Sequence, residues 1–129
     1  MIQRRFSVIA SLLVAAAIAF AAKAFSARAV TPKAYGIAEI SVTDPNAYKQ
    51  YLAAVSPVVA QFEGKYIVRA GTVVPVEGDA PTGRYVVIEF PSLAKAKAFE
   101  ASPQYLAIAP LRQRASHGRI FLVEGSSQP

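Results

Sequence analysis

With 129 residues, the chain has room for one domain and not two. Its formal charge of +6 is unevenly placed: Arg4, Arg5, Lys23 and Arg28 lie in an acid-free stretch of 29 residues, whereas from residue 30 onward ten Lys/Arg face eight Asp/Glu. The basic balance therefore belongs to the N-terminus and gives no support to nucleic-acid binding. The absence of cysteine excludes a disulfide framework, thiolate catalysis and thiolate metal sites together.

The first residues follow the order of a secretory signal: a basic start, an uncharged apolar run over residues 6–22, then small residues in A-x-A patterns such as Ala19-Phe20-Ala21 and Ala27-Arg28-Ala29. Residues 1–29 are accordingly expected to be a signal peptide or an N-terminal anchor. The anchor alternative needs residues 6–22 to span a bilayer, at the lower limit of length and with much weakly apolar alanine. Either reading puts the domain outside the cytoplasm, in a periplasm if the source is Gram-negative. A membrane is a partner only if the segment is retained.

Residues 30–34, with Thr31-Pro32, read as a linker. Tyr35 to Val42 alternates and makes a first strand. Asp44-Pro45 starts a helix, because the carboxylate caps free amides and proline at the first helical position loses no needed donor. Tyr48, Tyr51, Leu52, Val55, Val58, Val59 and Phe62 continue it at helical spacing, with a kink or break expected at Pro57. Residues 66–76 form an expected second strand, bent near Gly71 or Pro75, and residues 77–83 a turn-rich connection. Residues 84–90 are a β-branched third strand. Pro91-Ser92 begins a short alanine-rich helix ending near Ala101, and Ser102-Pro103 begins another that Pro110 disturbs. Residues 119–124 are the last strand, and residues 125–129 a polar tail.

Strand, helix, hairpin, helix, strand is the split βαβ pattern. The expected fold over residues 35–124 is an α+β, ferredoxin-like βαββαβ sandwich, with an antiparallel sheet in the order 4-1-3-2 and the helices on one face. Strict alternation then sorts the strands by face. Ala38, Ile40, Val42, Tyr66, Val68, Ala70, Val86, Ile88 and Phe90 point to the helices. The opposite face carries Tyr35, Ile37, Glu39, Ile67, Arg69, Tyr85, Val87 and Glu89. That face is apolar and aromatic, and a second copy of the sheet is its simplest cover, giving a homodimer. Glu39, Arg69 and Glu89 would then be enclosed and obliged to pair.

The segments Tyr35-Gly36-Ile37-Ala38-Glu39-Ile40, Asp44-Pro45-x-x-Tyr48 and Gly64-Lys65-Tyr66-Ile67-Val68-Arg69-Ala70-Gly71 resemble domain-of-unknown-function family 1330. Glu77-Gly78-Asp79, Val86-Val87-Ile88-Glu89-Phe90-Pro91-Ser92, Ser102-Pro103-x-Tyr105 and Leu111-Arg112 extend the resemblance over nearly all of the chain beyond residue 30. It implies a dimeric α/β-barrel, in which two ferredoxin-like domains pack sheet to sheet. The wider group includes heme-degrading and quinol-type monooxygenases as well as proteins without known activity. In this chain the usual glycine pair after the arginine reads Ala70-Gly71, and Ala80 stands where a tryptophan often follows the acidic turn.

Glu39, Arg69 and Glu89 are the first candidate site. Either the arginine binds a carboxylate while a glutamate with a raised pKa acts as acid or base, or the three form an ion network of the interface. Tyr66, Tyr105, Arg112 and His117 are secondary candidates. His117, the only histidine, reads as a proton carrier, a heme ligand or a plain surface residue; Arg112, Arg114 and Arg119 near it read as an anion site or a solvated face. No metal site is expected, because no second histidine or cysteine is available, and no cofactor is expected. Two functions fit: an exported homodimer that binds a small molecule or partner at the sheet interface, or a cofactor-independent enzyme, monooxygenase- or isomerase-like, on a small acidic or aromatic molecule.

Overall fold

The computed structural model describes residues 30–127. The signal or anchor reading and the end of the polar tail lie outside those residues. The elements are β1 (Ala34–Val42), α1 (Pro45–Gln61), β2 (Lys65–Arg69), β3 (Arg84–Phe90), α2 (Leu93–Ala101), α3 (Pro103–Ala115) and β4 (Ser116–Glu124). The strands form one antiparallel sheet in the order β2-β3-β1-β4, as expected of the ferredoxin-like fold.

Local chemistry sets the helix ends. Asp44 Oδ1 accepts from the amides of Asn46 and Ala47 at 3.1 and 3.0 Å, ahead of Pro45. At the other end of α1, Gly64 N–H reaches the Val59 carbonyl and Glu63 N–H that of Ala60, a Schellman closure with Glu63 in the left-handed region at φ 59°. Ser102 joins two helices. Its hydroxyl donates to the Phe99 carbonyl at the end of α2 (2.7 Å) and accepts from the Tyr105 amide at the start of α3 (3.1 Å).

The three helices cover one face of the sheet. Ile40, Val59 and Phe90 are almost wholly buried there, joined by Tyr51, Val55, Phe99 and Tyr105. Phe99 is the hub of the aromatic packing, with its ring centroid 4.6 Å from Tyr105, 5.4 Å from Phe90 and 6.0 Å from Phe62.

Four local expectations change. Helix α1 runs unbroken through Pro57, and α3 through Pro110: each proline lies on a helix held by packing on both sides of it. β2 stops at Arg69 rather than near residue 76, because Ala70 takes φ 55° and the chain turns out of the sheet into an exposed stretch over residues 70–83. β4 begins three residues early, at Ser116, where Gly118 lets the strand pass the Glu39 carbonyl at a distance no Cβ would allow. Among the described residues no helix is long and apolar enough to cross a membrane, and no group of three His/Cys/Asp/Glu is placed to hold a metal.

Candidate functional site

A β-bulge decides where the first candidate arginine points. Tyr66 pairs with Ile88, yet Val68 pairs with Val87 and Arg69 with Val86, so the register shifts at Ile67. One extra residue reverses the alternation beyond it. Strict alternation put Val68 inside and Arg69 outside; the bulge exchanges them. Arg69 lies on the helix side, its guanidinium 4.2 Å over the Tyr66 ring and 2.9 Å from the Ser56 hydroxyl of α1. It is therefore separated by the sheet from Glu39 and Glu89, and the expected trio does not form.

The helix side holds a cavity. Its floor is the sheet at Gly36, Ala38, Ile40, Val86 and Ile88, and its walls come from α1, α2 and α3. Its inner volume is ≈ 50 Å³, continuous with solvent through an open mouth. That is room for a few ordered waters, and anything larger must extend into the open mouth. Tyr48 and Tyr51 enter from α1, one helical turn apart, and Tyr66 from β2. Tyr105 and Arg112 share a face of α3, and Glu100 comes from the end of α2. Arg84, opposite Ile40 at the start of β3, completes the polar groups together with Arg69 at the rim.

Low polarity governs these groups. Burial raises the pKa of Tyr48, Tyr51 and Tyr105, so all three stay neutral phenols in the ordinary pH range. Tyr51 and the Arg112 guanidinium oppose that rise for Tyr105. Burial also pushes the Glu100 carboxyl up, against the pull of Arg112. The Arg84 guanidinium lies 5.3 Å from the Tyr48 ring centroid. Nε of Arg84 and Nε of Arg112 are both buried without a hydrogen-bond partner among the described residues.

Of the secondary candidates, Tyr66, Tyr105 and Arg112 thus meet in the cavity. Arg84, Glu100, Tyr48 and Tyr51 join them and were not singled out from the sequence. Alternation through Val86, Ile88 and Phe90 does put Arg84 on the helix face, and Tyr48/Tyr51 and Tyr105/Arg112 each recur at helical spacing.

The outer face is organised differently. Paired strands place Phe121, Ile37, Val87 and Val68 in one apolar row across the sheet. Charged rows flank it. Glu39 pairs with Arg119 at 2.8 Å, with the Tyr85 hydroxyl alongside, and Glu89 pairs with Lys33 at 2.8 Å. His117 is exposed on β4 opposite Ser41, in a shallow depression with Glu39, Thr82 and Arg119. The arginine cluster read from the sequence is divided: Arg112 lines the cavity, Arg114 is exposed and Arg119 serves the outer face.

Residues 33–126 match the family described as Domain of unknown function (DUF1330). Among solved structures, the chain is similar to a protein of unknown function from Rhodopseudomonas palustris, at TM-score 0.60 and 18% identity over 83% of this chain and 92% of that one. It is also similar to SnoaB, a cofactor-independent oxygenase from Streptomyces nogalater, at TM-score 0.51 and 16% identity over 74% of this chain and 95% of that one. At these identities the likeness is one of fold. No curated protein matches the sequence significantly.

Proposed function

We propose, from the premise that this chain belongs to the DUF1330 family and from the cavity it carries, that it is an exported small-molecule-binding protein acting as a homodimer. The carrying observation is the cavity between sheet and helices: an apolar floor, a wall of tyrosines and a few convergent polar groups, the composition of a ligand site rather than of a plain core. The binding place is thus on the helix side of the sheet, not on the outer face where the sequence pattern directed attention.

The dimer rests on the outer face. Phe121 is 44% exposed and Val68 38% in the apolar row between the charged pairs, with Val123 at 42% and Ile67 at 53% beside it, a surface that a second sheet would cover. Light scattering at micromolar concentration is expected to give twice the chain mass, and Phe121→Lys to return it to one. A monomeric mass for the unaltered protein contradicts the dimer. Export rests on the basic, apolar and small-residue order of residues 1–29; mass spectrometry of the mature N-terminus tests it.

Ligand binding is tested by thermal shift against single-ring aromatic compounds, neutral and acidic. A rise in Tm that grows with concentration is expected for part of the panel. No shift for any compound at millimolar concentration contradicts the reading. A second reading, a cofactor-independent enzyme, draws support from Glu100 and Tyr105 as proton-transfer groups in a mainly apolar cavity and from the fold shared with SnoaB. Dioxygen uptake with single-ring phenols and hydroquinones tests it: uptake no faster than in buffer removes the oxygenase form of that reading.

A further inference from the structure

The charges that face the cavity are not balanced within it. Arg84 and Arg112 line it from two different elements, β3 and α3, and each keeps a buried Nε donor without a partner among the described residues. A buried Nε donor left unpaired on a half-buried guanidinium is costly and points to an acceptor that arrives from outside. Both guanidinium groups are near enough to Tyr48 to act on its phenol. The Arg84 guanidinium lies 5.3 Å from the Tyr48 ring centroid, and Arg112 belongs to the same lining.

The other charged groups narrow the choice. Arg69 is exposed, stacks on Tyr66 and bonds Ser56, so solvent and these partners already satisfy it. Glu100 is the one carboxylate of the lining, and it lies within reach of Arg112. Two half-buried cations against one acid leave an excess of one positive charge when Glu100 is ionised, which a monoanion offsets. Planar guanidinium forks match a planar carboxylate. The remaining wall is largely aromatic, and the small inner space limits the body to one compact ring that extends into the open mouth.

We propose that the cavity selects small aromatic monocarboxylates, with the carboxylate held by Arg84 and Arg112 and the ring against the tyrosine and phenylalanine wall. This inference rests on the reading of the cavity as a ligand site. It goes further by assigning the chemical class and the two residues that recognise it.

Calorimetric titration of the full-length protein with benzoate, and with benzamide as its neutral isostere, tests the assignment. Benzoate is expected to bind at least about tenfold more tightly than benzamide. Arg84→Gln and Arg112→Gln are each expected to weaken benzoate about tenfold while leaving benzamide within about twofold, and Arg69→Gln to change either by less than about threefold. Unaltered benzamide binding also shows that each variant retains a folded cavity. Equal affinity for benzoate and benzamide overturns the monocarboxylate assignment and leaves the small-molecule reading standing. Displacement of benzoate by equimolar inorganic phosphate likewise overturns the assignment to carboxylates. Binding of neither compound overturns the assignment; it overturns the underlying reading too if the wider aromatic panel gives no thermal shift.

Discussion

Gly64 is the hinge between α1 and the strand that carries Tyr66 and Arg69, and Gly64→Ala probes how tightly that junction is packed. A Cβ built there meets Val59 Cγ1 at 2.7 Å, Phe90 Cε1 at 2.9 Å and Ile88 Cγ2 at 3.0 Å. None of these neighbours is the loose end of a flexible chain. Val59 and Phe90 are each 1% exposed and belong to the central cluster, so relief requires α1 to lift or the Phe90 ring to leave its place. Overpacking of a closed core costs about 1–3 kcal/mol. With one methyl pressed against three neighbours, a loss of about 2 kcal/mol is expected. For a domain of this size that lowers Tm by about 8–16 °C. Urea unfolding followed by far-UV circular dichroism measures the loss directly through the midpoint at constant slope. A loss below about 0.5 kcal/mol would refute the reasoning, because it would mean that the helix–strand junction yields at little cost.

Three other substitutions probe separate features. Ala70 holds a left-handed φ of 55°, so Ala70→Gly is expected to stabilise the protein by about 0.5–1 kcal/mol, read as a rise in Tm. Ser102→Ala removes both the bond to the Phe99 carbonyl and the cap of α3 at a buried position; a loss of about 1–2 kcal/mol in urea unfolding is expected. Glu100 has its folded pKa raised, chiefly by burial, so its contribution to stability is full below the unfolded carboxylate pKa and is lost as pH rises through the folded value. Glu100→Gln is therefore expected to gain stability relative to the unaltered protein as pH rises from acid toward neutral, whereas no pH dependence of the difference would contradict the burial argument.

The backbone order was legible because its signals are local. Asp44-Pro45, Ser92 and Ser102-Pro103 mark helix starts with side chains that cap them, and alternation marks β1 and β3. The bulge at Ile67 was not legible: no glycine or proline marks it, and a single inserted residue was enough to send Arg69 to the other face. Nor was the unbroken course of α1 through Pro57, where tertiary packing overrides the lost amide. The outer-face glutamates were correctly placed on their face, but their partners, Arg119 and Lys33, came from β4 and the segment ahead of β1. The cavity escaped notice because its polar groups are dispersed over five elements, and tyrosines at helical spacing read as ordinary core. Arg84 was the one direct clue, a cation in phase with Val86, Ile88 and Phe90.

The central claim is that ligand recognition takes place on the helix side of the sheet. Backbone amide chemical-shift mapping during a benzoate titration tests it most directly. The account predicts that the amides of Arg84, Val86, Glu100, Tyr105 and Arg112 move together and saturably. Shifts confined to Ile37, Val87 and Phe121 on the outer face, or no saturable shift at all, would contradict it.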